Sequence, residues 1–290
     1  MGRRAGLALA AGSGVLYGSI NVLSKLVQGH PLAKSATAYL ASAAFLSPAL
    51  RGLRIARGDW WKVLVMGLVG GALAPILLFY GLQETTASDT ALLLTLEMVA
   101  TSAFAAAFLR ERFGAGELVG LGLLLASALL IGAGAARTGG SSAVGATLVA
   151  LAAIGWGLDN TVSASLVGSY KPRQLIAVKG LLGGTAALAC ALVLHAQLPP
   201  LNSLLALVGL GIASVALSSI LFYLALRSVG AARTSALNIA TTALVGAVGG
   251  ALLLGERLGW LHVAAVLCVL GGAWLLARAT HPVAPAPPLG

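Results

Sequence analysis

The sequence predicts an all-α integral membrane protein: ten transmembrane helices arranged as two inverted five-helix repeats, with both chain ends cytoplasmic. Three observations lead there. Apolar residues make up 59% of the 290 residues and charged residues 9%, with a mean hydropathy of +0.97. Soluble domains do not have that composition. The phrase Leu109-Arg110-Glu111-Arg112-Phe113-Gly114 reappears as Leu254-Gly255-Glu256-Arg257-Leu258-Gly259. Finally, Lys and Arg collect on one side of the helices that the hydropathy defines.

A hydrocarbon core ~30 Å thick needs ~20 apolar residues per helical span. Between charge clusters and turn signals the chain offers ten, at 5–27, 33–50, 63–83, 87–109, 115–136, 143–167, 173–196, 203–226, 233–254 and 259–278. The first has a basic start and could be read as a cleaved signal peptide. Cleavage would remove Tyr17 and Asn21, which have counterparts later in the chain, so an uncleaved span is expected. Five spans per half is an odd number, so the second half crosses in the opposite sense. With the N-terminus inside, 14 of the 18 basic residues face inward; only Lys25, Lys34, Arg137 and Arg257 face outward. Cytoplasmic loops collect such residues. A multi-pass protein of a bacterial-type plasma (inner) membrane is expected.

The repeat extends beyond the phrase. Tyr17-Gly18 with Asn21 is echoed by Trp156-Gly157 with Asn160, and Phe79-Tyr80 by Phe222-Tyr223. An offset of about 140 residues along the chain marks a duplicated half rather than a short repeating unit. The expected division is a repeat over 1–137, a second over 138–281, and a Pro/Ala-rich disordered tail over 282–290.

Several function classes fall away. The net charge of +10 is spread over short loops, where it orients helices and favours anionic lipid headgroups; no basic face interleaved with aromatics suggests nucleic acid. No metal-ligand spacing, nucleophile elbow or phosphate loop is present, so neither cofactor nor metal nor catalysis is expected. His30, His195, His262 and His281 sit mainly near span ends, as solvated interfacial residues. Cys190 and Cys268 lie within spans and read as small apolar groups. Gly116/Gly120, Gly180/Gly184 and Gly246/Gly250 have the spacing that lets helix backbones approach. The charges of Glu111-Arg112 and Glu256-Arg257 fall at span ends and read as loop or interface charges.

Polar residues inside the apolar spans are therefore the candidates for function. Glu97 falls near the middle of the fourth span, where a carboxylate costs ~2.5–3.5 kcal/mol on insertion scales and usually faces a cavity or partner. Asp159 lies in the sixth span, with Trp156 and Ser163 on its face and Asn160 beside it. Tyr17 and Asn21, and likewise Asn238 and Thr242, are four residues apart and share a helix face. Two bland readings stand beside these. Glu97 would pin helices together through Thr101 or Thr242, and Asp159 would pair with Lys179. The expected substrate-binding set is Tyr17, Asn21, Tyr80, Glu97, Trp156, Asp159, Asn160, Tyr223, Asn238 and Thr242, with Glu97 and Asp159 as proton-coupling groups.

These features resemble the drug/metabolite transporter superfamily, in its ten-helix EamA-like branch. The resemblance rests on the aromatic-Gly steps, the Phe-Tyr pairs, and the helix-ending Glu-Arg copies with Glu97 fourteen residues upstream of the first. It spans nearly all of residues 5–278. It implies a secondary carrier, tilted toward export, with no prosthetic group and a cavity lined by the first, third, fourth, sixth, eighth and ninth helices. Where the family often has Glu-Pro, this chain has Glu97-Met98, and Thr242-Ala243 in the second half. The fourth helix should therefore lack a proline kink, and only one half carries a carboxylate. A carrier that binds a small metabolite, amino acid or organic cation, in contact with membrane lipid and as monomer or homodimer, is the expectation. A channel or a lipid-handling protein is the alternative.

Overall fold

The computed structural model describes residues 2–138 and 141–278, and these are helical with no strand among the described residues. Ten helices follow in order. They are α1 (Arg3–Leu23), α2 (Pro31–Leu46), α3 (Arg57–Glu84), α4 (Ala87–Phe108), α5 (Ala115–Thr138), α6 (Ala143–Ala164), α7 (Pro172–Val193), α8 (Leu201–Val229), α9 (Ala231–Leu254) and α10 (Trp260–Arg278). Among the described residues nine are long and apolar enough to cross a membrane. The exception is α2, whose 16 residues continue into a 3₁₀ turn at Ser47–Leu50. Pro48 in that turn supplies the stop that the sequence reading placed at residue 50. The tail from 282 onward lies outside the described residues.

Large apolar side chains point outward: Leu252, Trp260 and Val193 are at least three-quarters exposed. In water this would be an aggregating surface; against lipid tails it costs nothing. Helix association in lipid then depends on close packing rather than on hydrophobic burial, and glycines permit it. Gly180 and Gly184 of α7 sit against the backbone and side chains of Tyr39, Leu40 and Ala43 in α2, and Gly120 of α5 against Gly272 of α10. Gly116 faces open space and has no packing role. Cys190 is exposed rather than buried, and neither it nor Cys268 is in a disulfide.

The packing partners repeat across the halves. α1 lies on α8 and α9, as α6 lies on α3 and α4; α2 pairs with α7, and α5 with α10. Two repeats related by a two-fold axis give this pattern. It reaches single residues: a Cβ on Gly18 would come 2.8 Å from the Thr242 carbonyl, and one on Gly157 2.6 Å from Ala100 Cβ. The aromatic-Gly steps are thus the points where α1 and α6 touch α9 and α4. Both third helices also contain a π segment, Met66–Leu73 in α3 and Gly211–Leu217 in α8.

The halves differ at their fourth helices. α9 runs unbroken, whereas α4 is interrupted at Leu94-Thr95, between Ala87–Leu93 and Leu96–Phe108. The straight helix expected from the missing proline is therefore not found. The Thr95 hydroxyl donates to the Leu92 carbonyl at 2.7 Å and lies 3.2 Å from that of Leu124, so a side chain competes for the helix's own acceptors. The turns after both helices take a left-handed residue, Gly255 at φ 67° and Arg110 at φ 56°. A side chain at that conformation costs ~1–2 kcal/mol. Arg110→Gly is expected to raise stability by about 0.5–1 kcal/mol in thermal unfolding in detergent.

Candidate functional site: a carboxylate at the break in α4

Glu97 occupies the first turn after the break, ~15 Å along α4 from its start. Its Oε2 accepts from the Tyr17 hydroxyl of α1 at 3.2 Å, and its Oε1 from the Asn160 amide of α6 at 2.8 Å. Thr101 does not reach the carboxylate; its hydroxyl donates to the Glu97 main-chain carbonyl at 2.7 Å. Asn160 is exposed, so the carboxylate lies at an opening rather than in a sealed core. Tyr17 meets Trp156 edge to face, with ring centroids 6.1 Å apart. Trp156 is fixed in turn: its Nε1 donates at 2.9 Å to the Gly70 carbonyl in the α3 π segment. The Tyr39 hydroxyl lies 3.4 Å from the same carbonyl. Widened π turns free a carbonyl for partners outside the helix.

One layer deeper, Asp159 is 1% exposed and pairs with Lys179 of α7, while Ser163 donates to its other oxygen at 3.0 Å. A Cβ on Gly70 would overlap the Asp159 carboxyl, so the pair sits in the groove that this glycine leaves. The structure therefore shows the Asp159–Lys179 ion pair that was the bland reading. Glu97 has no cationic partner within 4.0 Å among the described residues.

The ten candidates divide. Tyr17, Glu97, Trp156, Asp159 and Asn160 form one continuous cluster. Tyr223 packs against the apolar cluster of Leu46, Ile176, Ala177 and Ala216. Asn238 donates to Ser13 Oγ at 2.9 Å, and Thr242 lies 3.2 Å from the Gly14 carbonyl, so both serve the α1–α9 contact. Asn21 is fully buried, with neither amide atom hydrogen-bonded. Tyr80 is remote, its ring edge to face with His30. Sequence reasoning missed Tyr39 and Gly70 as parts of the cluster; the Gly70-Gly71 pair inside an apolar span was the available signal.

Two readings of the span ends are corrected. Glu256 is not a loose loop charge. It accepts from the backbone N–H groups of Ala87 and Ser88 at 2.7 and 2.9 Å and from Ser88 Oγ at 2.6 Å. It thereby satisfies amides that a helix start leaves open. His262 is not interfacially solvated: it is 6% exposed, and its Nε2 meets Asp89 Oδ1 at 2.9 Å. Glu111, the counterpart of Glu256, is exposed.

Fold and cluster together define a polytopic α-helical membrane protein with a polar centre between two related halves. The EamA-like transporter family matches over residues 4–133 and again over 143–278. The chain belongs to that family. An uncharacterized transporter of Methanothermobacter thermautotrophicus is 28% identical over 230 residues, 77% of this chain and 66% of that one. The chain thus spans about two thirds of the length of that curated relative. A solved crystal structure shares the fold with a TM-score of 0.69 at 20% identity, over 93% of this chain and 95% of that chain.

Proposed function

We propose that this chain is a secondary carrier that moves a small metabolite, amino acid or organic cation by alternating access, in the direction of export and coupled to protons through Glu97. The observation that carries the proposal is the position of Glu97. It lies at the break in α4, held by Tyr17 from the first half and Asn160 from the second. With Asp159 and Lys179 neutralising one another, an ionised Glu97 leaves one uncompensated negative charge at mid-depth, which a proton or a substrate cation would satisfy. The repeats are taken to be 1–137 and 138–281, with both ends cytoplasmic.

The asymmetry between the repeats supports alternation. α4 lies on α9 through Ala87–Leu93, while Leu96–Phe108 leans on α6 and α5 instead. At the face opposite the chain ends Glu256 is docked on the start of α4; at the face of the chain ends Glu111 is exposed. Exchanging these arrangements between the halves would close one face and open the other around a fixed site. Reconstituted protein tests the carrier reading. Flux that saturates and is stimulated by substrate on the opposite side is expected; non-saturating flux without that stimulation would mean a channel and would overturn it.

A further inference from the structure

On the face opposite the chain ends, the end of α1, the start of α2 and the end of α3 line a half-open cavity of about 300 Å³, with Ser24, Lys25, Lys34, Phe79, Leu82 and Gln83 around it. It lies apart from the Glu97 cluster and nothing in the transport reading uses it. Two half-buried lysines share it, and their charges repel one another. Among the described residues no carboxylate comes within 4.0 Å of either ammonium. Lys34 Nζ donates once, to the Ser24 carbonyl at 2.9 Å, although an ammonium has three protons to give. Ser24 is 2% exposed, and its hydroxyl has no partner. The nearest acidic influence is Glu256, whose oxygens are committed to Ala87 and Ser88.

An anion in the cavity would satisfy both half-buried cations and the buried Ser24 hydroxyl at once. Burial pushes the Lys25 ammonium below its ordinary value, with Glu256 acting against the shift, as expected for a cation that lacks a close counter-charge. Phe79 and Leu82 supply an apolar wall, and the Gln83 amide adds donors.

We propose that this cavity binds an oxyanion, carboxylate or phosphate, borne by a small organic molecule or a lipid headgroup, between Lys25 and Lys34 with Ser24 donating to it. The site stands whether or not Glu97 couples transport.

Reductive methylation of the purified full-length protein, read residue by residue by mass spectrometry, tests this directly. With chloride holding ionic strength constant, inorganic phosphate or propionate is titrated in neutral detergent. Labelling of Lys25 and Lys34 should fall several-fold and saturably, while the exposed Lys171 stays unchanged. In Lys34→Gln, phosphate should no longer protect Lys25. Nanodiscs separate the sources. Protection by phosphate in phosphatidylcholine discs identifies a soluble anion. Protection in phosphatidylglycerol discs without added anion identifies a lipid headgroup. No saturable protection in any of these conditions, or equal protection of Lys25 in Lys34→Gln, would overturn the proposal.

Discussion

Glu97→Gln is expected to abolish stimulation of substrate flux by a pH gradient while leaving a folded protein that still exchanges substrate downhill. Glutamine keeps one oxygen to accept from the Asn160 amide, and its NH2 can donate to the Tyr17 hydroxyl oxygen, so both contacts survive with the second reversed in direction. What disappears is the titratable charge. The contrasting role, a carboxyl that only ties α1, α4 and α6 together, predicts lower thermal stability with coupling intact in whatever folds. Flux measured in proteoliposomes with and without an imposed pH gradient, beside a melting curve, separates the two. Equal stimulation of wild type and Glu97→Gln would remove Glu97 from the coupling role and leave Asp159 as the next candidate.

The second large effect is on stability. Asp159→Asn leaves the Lys179 ammonium without its partner, and breaking a buried pair by removing one member costs about 3 kcal/mol or more. The double variant Asp159→Asn/Lys179→Gln should recover part of that loss, because no charge is then stranded. Unfolding of both single variants and the double one gives the interaction term. Strict additivity would show that the pair contributes nothing as a pair.

Much of this fold was written in hydropathy, because lipid enforces apolar runs of a fixed length more strictly than a soluble core does. The span ends shifted by only a few residues, and the paired aromatic-Gly steps were already visible as a repeat. Two things were not legible. The break in α4 falls at Thr95, whose hydroxyl bonds the Leu92 carbonyl, with no proline there, and threonine is common inside helices that stay straight. The π segments of α3 and α8 have no one-residue signature, so the Gly70-Gly71 pair marked a close approach but not the carbonyl that positions Trp156. For the site, Glu97, Tyr17 and Asn160 stood out because polar groups in an apolar run are few. Which of them touch depends on helix rotation, which hydropathy does not set. Tyr80 shows the cost: its match with Tyr223 in the repeat placed it near the centre, while the structure puts it against His30.

The proposed alternation can be read at Asn21 and Asn160, the same position in the two repeats, one fully buried and the other exposed. In a background with Cys190 and Cys268 replaced by serine, Asn160→Cys should react readily with a membrane-impermeant thiol reagent from the face of the chain ends, and Asn21→Cys should be protected. Adding Glu256→Ala undocks the start of α4 and should reverse the order, raising Asn21→Cys labelling from the opposite face as Asn160→Cys labelling falls. Reciprocal change at the two positions is the predicted result. Labelling at both that stays fixed, or that rises together, would contradict alternating access.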